Sequence, residues 1–208
     1  MYRRDVTEIK DECRRTNSIL GVAGFAIASI QAGLSTVVPS ANKVTEKGLY
    51  AISMTHKRHG IKYIIENDDY LYPKSMHIAD KYGYNDVEGI TEAMLLFMKI
   101  PMVGMVKAGF ICQMLGFDVA CLDSHNLKRL GISEAQMKID KNLSEDAKRS
   151  RIQPYVELCQ KEGAEFWWNT WCIHVAGNRA NRTLDTEDVV SKFHVDCVKA
   201  WHQACTSV

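Results

Sequence analysis

Residues 100–126 read IPMVGMVKAGFICQMLGFDVACLDSHN. Upstream, residues 87–98 carry apolar side chains at helical spacing. A helix therefore runs into Ile100-Pro101-Met102-Val103-Gly104, a hairpin marked by proline and glycine. A second helix is predicted over 105–115, followed by a short apolar run and then Asp123-Ser124-His125-Asn126. Helix, tight hairpin and helix present backbone N–H groups at a helix N-terminus. First-turn amides lack intrahelical acceptors, so the arrangement suits a phosphate. An acidic residue downstream can sit beside whatever that contact positions. Pro-x-x-Gly between two helices equally describes an ordinary turn, so spacing alone leaves both readings open.

The wording of the stretch resembles the helix-hairpin-helix and aspartate signature of the DNA glycosylase superfamily that includes endonuclease III. That signature reads roughly L-P-G-V-G-x-K-T-A, then V-D-T-H. Residues 100–108, Ile-Pro-Met-Val-Gly-Met-Val-Lys-Ala, follow the first part, and Leu122-Asp123-Ser124-His125 the second. Two departures stand out. Met102 occupies the first hairpin glycine, which is awkward where φ must be positive. Val106 occupies the position of the family's Schiff-base lysine, with Lys107 one place later. One residue is about 100° of helical rotation, so Lys107 is not a simple replacement. The resemblance extends to residues 25–50, where Gln31 falls on a glutamine that enters the base stack as the target nucleotide leaves. It extends again to residues 70–78, and in all runs from Phe25 to Gly131 in consistent order.

The resemblance implies an all-α, two-lobe helix-hairpin-helix glycosylase-like fold with an active-site cleft between the lobes. A six-helix-type lobe would span 23–122, with the hairpin unit at 87–115. Residues 1–22 plus 123–208 would form the second helical lobe. Duplex DNA would be held by the hairpin at Pro101, Val103, Gly104, Val106 and Lys107, with Lys128 and Arg129 near phosphates and Gln31 as a wedge. A base would be extruded into a pocket. Asp123 would stabilise the positive charge that develops on the deoxyribose as the N-glycosidic bond breaks, or activate a nucleophile. His125 would orient the loop. Without the lysine, Schiff-base lyase chemistry is not expected. A phage branch of the superfamily, also lacking the lysine, implies an alternative: joining a free amino acid or amine to an activated 5-substituted thymine or uracil. A non-catalytic DNA-binding module is the third reading.

Composition frames these expectations. The 208 residues are 46% hydrophobic and 25% charged with a net charge of +1, so a nucleic-acid face must be a local patch. The seven cysteines show no C-x-x-C pair and no zinc spacing, and read as free thiols of a reducing, cytoplasmic compartment, a host cytoplasm if the source is a phage. Iron–sulfur relatives carry four closely spaced C-terminal cysteines. That spacing is missing, so no cluster and no other metal is expected, beyond a monovalent cation at the hairpin. No signal peptide or membrane-length apolar run is present, and a monomer is expected.

The remaining segments read as helices. Residues 1–17 are amphipathic, with Val6, Ile9 and Cys13 inward and a charged outer face that includes Asp5. Residues 18–32 form a buried helix, and 41–59 another, ended by Gly60, whose last turn carries His56, Lys57, Arg58 and His59. Residues 61–67 are a short helix or strand. The helix preceding the hairpin unit begins at 70–78, and Asn85 or Asp86 caps the next. Residues 140–151 are charged and exposed, with Arg149 and Arg151 as candidate contacts. Pro154 opens a helix to Glu162. Residues 165–176 carry a stripe of Phe166, Trp167, Thr170, Ile173 and His174. This stripe reads first as core and second as flat partners for a base. Arg179 and Arg182 lie in a polar loop. A final helix starts at Asp185 or Thr186, with Val189, Val190, Phe193, Val198 and Trp201 inward.

Overall fold

A computed structural model describes residues 1–140, 142–178 and 184–208, without the side chain of Glu134. Among the described residues the secondary structure is helical and contains no strand. The α-helices are α1 (Tyr2–Thr16), α2 (Leu20–Ala28), α3 (Val37–Lys47), α4 (Thr55–Tyr82), α5 (Val87–Phe97), α6 (Met105–Met114), α7 (Ser124–Leu130), α8 (Glu145–Gln160), α9 (Ala164–Ala176) and α10 (Glu187–Thr206). The chain is thus all-α. None of these helices is long and apolar enough to cross a membrane.

Helix α2, LGVAGFAIA, is apolar on every side, and all nine of its residues are buried. A helix with no polar face can only be central. Its glycines admit a close neighbour: a methyl group at Gly21 would lie 2.4 Å from the Val198 carbonyl oxygen of α10. Helix α10 packs against α2 and α3, and α8 against α5, so segments from the end of the chain close over those from its first half. The buried apolar side chains of all these helices join in one cluster.

Several boundaries differ from the sequence reading. Gly60 does not end a helix. Helix α3 stops at Gly48, whose φ of 69° a side chain rarely adopts, and α4 then runs unbroken through Gly60 and Pro73. Its 28 residues span about 42 Å. A methyl group at Gly60 would lie 2.8 Å from the Pro101 carbonyl oxygen, so this glycine serves close packing against the hairpin. The His56–His59 cluster therefore lies in the first turn of α4, where the dipole does not favour cations. Lys57 instead donates to the Ala28 carbonyl at the end of α2, and Arg58 to that of Ile52. Pro154 lies inside α8 rather than at its start, and Arg149 of that helix pairs with Glu92. Val189 is exposed, and Asp5 is buried. Asp86 caps α5 by accepting from the Gly89 amide, and Thr186 caps α10.

Candidate functional site

The hairpin is closed by two backbone bonds, from the Ile100 amide to the Phe97 carbonyl and from the Val103 amide to the Ile100 carbonyl. Met102 takes φ of 73°, the region that favours glycine. Gly104 is the extended N-cap of α6, with no side chain bonded to the first-turn amides. Pro101 packs its backbone against α4. The Val103 side chain is buried, and its amide is used within the turn.

Asp123 is the N-cap of α7. Its Oδ1 accepts from the His125 and Asn126 amides, both at 3.1 Å. The approach to it is held by Tyr155 of α8, whose hydroxyl donates to the Ala120 carbonyl at 2.6 Å and accepts from the Leu122 amide at 3.1 Å. Gln113 of α6 adds a bond from the Cys121 amide at 3.2 Å and donates to the Ala164 carbonyl at 2.9 Å. Asn126 reaches back to the Cys121 carbonyl at 3.0 Å. The aspartate is thus fixed from both sides in sequence.

Asp123, the hairpin turn and α9 border one cleft of about 930 Å³. From the hairpin side come Met102, Gly104, Val106 and Lys107, and from the end of α2 come Ser29 and Gln31. Gln31 is exposed and takes φ of 51°, so its backbone is held in the left-handed region. Lys107 does enter the cleft. Its Nζ donates to Ser29 Oγ at 2.9 Å and lies 5.2 Å from the centre of the Phe110 ring. Burial and then the charge of Lys107 lower the pKa of neighbouring Lys57.

The opposite wall is a stripe of α9: Trp167, Trp168, Trp171, His174 and Val175. This differs from the predicted stripe, since Phe166 and Ile173 are exposed. Trp167 and Trp168 are buried and belong to the core while also lining the cleft. Towards the mouth, Trp171, His174 and His125 cluster, with the two imidazoles 4.0 Å apart and each about 6 Å from the indole. At the inner end sit Phe25, Phe110, Trp168 and His194. Trp168 donates to Ser191, which in turn donates to the buried Asp5, itself paired with Arg4.

The structure therefore gathers Asp123, His125, Gln31, Gly104, Val106 and Lys107 of the predicted residues around one space. Lys128 and Arg129 are exposed on α7 and do not line it. Arg179 and Arg182 lie outside the described residues. Six cysteines are buried and Cys121 is half-buried, all as free thiols, and burial raises the Cys121 pKa to about 12. His174 stood in the stripe that reads first as core and second as flat partners for a base, whereas Trp171 and His194 were not singled out by the sequence. The spacing of Trp167, Trp171 and His174 was a usable signal for a shared face, whereas nothing in the pattern distinguished His194 from a core residue. No family model, curated protein or solved structure matches the chain.

Proposed function

We propose that the protein is a base-directed enzyme of duplex DNA, a lysine-less glycosylase of the helix-hairpin-helix type. The observation that carries this reading is the shared cleft: the hairpin turn and Asp123, brought together by the resemblance in sequence, border the same aromatic-walled space. A two-lobe division of the helices and a grip on phosphates by the amides of Gly104 and Val106 belong to this reading. So does insertion of Gln31 into the stack in place of the extruded base.

In the reaction, the C1′–N bond breaks, the base leaves with the bonding pair, and water adds its oxygen to C1′. The capping bonds of Asp123 both fall on Oδ1, which leaves Oδ2 to face the sugar, stabilise its developing positive charge and take the proton of the attacking water. His125 holds the loop through its backbone rather than reacting.

The test is mass spectrometry of free bases and nucleosides after incubation with plain duplexes, damaged duplexes, and duplexes carrying 5-substituted pyrimidines, with and without amino acids. A free base that disappears with Asp123→Asn is the expected result. A nucleoside that gains mass with its glycosidic bond intact would replace excision by amino-acid transfer. Salt-sensitive DNA binding with neither product would leave a binding module.

A further inference from the structure

The aromatic side chains of the cleft fall into two groups. At the inner end Phe25, Phe110, Trp167, Trp168 and His194 are buried, so their faces are taken up by the core. The indoles of Trp167 and Trp168 also spend their N–H groups, on the Cys159 carbonyl and on Ser191. The mouth is different. His125 and His174 are exposed, Trp171 is half-buried, and all three line the cleft. Among the described residues no hydrogen bond engages their ring nitrogens. A flat ligand entering the cleft therefore meets accessible ring faces at the mouth and not at the floor.

The three rings form one surface. The imidazoles lie 4.0 Å apart between centres, and Trp171 lies 6.0 Å from His125 and 5.8 Å from His174. Their planes are tilted by 31° to 41°, nearer to parallel than to edge-on. By contrast, Phe25 and Phe110 meet at 71°, each occupying the other. Trp171 and His174 stand three positions apart on α9 and so share a side of that helix. Because the rings already hold one another, little rotamer freedom is left to lose on binding. His125 follows Asp123 by two residues on α7, and the charge of Asp123 is felt at His174. A ring joined to a group at Asp123 is thus within reach of this surface.

We infer that Trp171, His174 and His125 form the base-holding subsite of the cleft, which takes a flat, fully conjugated heterocycle by stacking and disfavours a puckered one. Stacking acts through the π-face that every intact nucleobase carries, so it tolerates different ring substituents. It does not tolerate loss of flatness. A pyrimidine saturated at C5 and C6 keeps its carbonyls and its N–H, but two ring carbons become tetrahedral and the face is lost. The substrate class is accordingly a base with an intact conjugated ring, with or without a 5-substituent, rather than a ring-saturated one. The inference rests on the proposed function for the choice of a nucleobase. The platform itself follows from the exposure and geometry of the three rings.

The experiment uses the full chain labelled with ¹⁵N-tryptophan and ¹⁵N-histidine and follows the indole and imidazole resonances. The probes are 1-methylthymine and its 5,6-dihydro derivative, which differ in flatness. The expected result is that 1-methylthymine moves the Trp171 and His174 signals and leaves those of Trp167 and Trp168 in place. The dihydro ring should bind about threefold weaker or more. Trp171→Ala should weaken 1-methylthymine at least about fivefold, and Trp171→Phe, which keeps a flat face, by less. His174 is exposed, so its variants leave the core alone: His174→Ala should weaken binding and His174→Tyr restore it. Equal binding of the two probes, larger shifts at Trp168 than at Trp171, indifference to His174→Ala, or no binding at the solubility limit would each overturn the inference. Asp123→Asn should bind 1-methylthymine as the parent does while losing excision. Base release without ring binding on α9 would remove the subsite and keep the reaction. Ring binding there without a product from any duplex would keep the subsite and remove the reaction.

Discussion

The imidazole rings of His125 and His174 lie 4.0 Å apart between centroids and are tilted by 40°, one on the first turn of α7 and the other in the last turn of α9. The pair therefore joins the helix that Asp123 caps to the helix that forms the aromatic wall. Burial lowers the His174 pKa first and the neighbouring His125 second, with Asp123 acting in the opposite direction. Replacing Asp123 by Asn removes the raising influence and should lower the His174 titration further. His125→Gln removes a lowering one and should raise it. A pH titration of the labelled imidazoles reads both directions, and a His174 midpoint at or above that of a free imidazole would contradict the packed pair.

His194 makes a larger pH effect. The folded ring protonates near pH 4, and an unperturbed ring near 6.5. The folded value is the lower one, so between these limits the unfolded chain binds more protons. Its contribution to stability is complete above about pH 6.5, declines as pH falls, and is lost by about pH 4. The size is on the order of 3 kcal/mol. Carboxylates titrate in the same range, so the informative quantity is a difference between two proteins. Denaturant unfolding of the parent and of His194→Leu at pH 7.5, 5.5 and 4.5 should give the parent the steeper loss of stability. Parallel pH profiles would exclude the effect.

What the sequence revealed of the site depended on how local the cause was. The start of α6 at Gly104, the caps narrowed to Asn85 or Asp86 and to Asp185 or Thr186, and the inward face of α1 at Val6, Ile9 and Cys13 were legible because neighbours along the chain produce them. Gly60 was misleading because glycine ends helices and also admits close neighbours, and here the neighbour is Pro101, far away in sequence. Asp5 looked like one more charge on a solvated face. It is buried by a hydrogen bond from Ser191 across the molecule. The unpartnered nitrogen of His194 likewise belongs to a ring packed against Trp168 and Phe25 of other helices, a meeting that periodicity does not encode. Both parts of the hairpin-aspartate motif were visible in one stretch, but their facing α9 across a cleft was not.

Asp123 is the N-cap of α7 and, in the proposed reaction, the reacting carboxylate, and two substitutions divide these duties. As an N-cap it satisfies the His125 and Asn126 amides through Oδ1. Asparagine caps almost as well, so Asp123→Asn should change stability by only a few tenths of a kcal/mol while abolishing chemistry that needs a carboxylate. Alanine caps poorly, and Asp123→Ala should cost about 1 kcal/mol in addition. Chemical unfolding alongside the base-release assay checks both. If the two variants proved equally stable, the cap would be energetically idle.

Tyr155 is expected to control Asp123 without touching a substrate. Its hydroxyl donates to the Ala120 carbonyl and accepts from the Leu122 amide, so one atom pins two backbone groups of the segment that delivers the aspartate. Tyr155→Phe keeps the ring and the packing but leaves both buried groups without that partner, at a cost of about 2–3 kcal/mol. Gly109 approaches the same point: a methyl group there would lie 2.6 Å from the Ala120 oxygen and 3.1 Å from the Tyr155 hydroxyl oxygen. Gly109→Ala should therefore displace the same clamp, and the double variant should lose less than the sum of the singles because the interaction can be broken only once. Unfolding free energies of the four proteins provide this test. Additive losses would mean that glycine and tyrosine act on separate features, and Asp123 would then be positioned chiefly by Gln113 and Asn126 at Cys121.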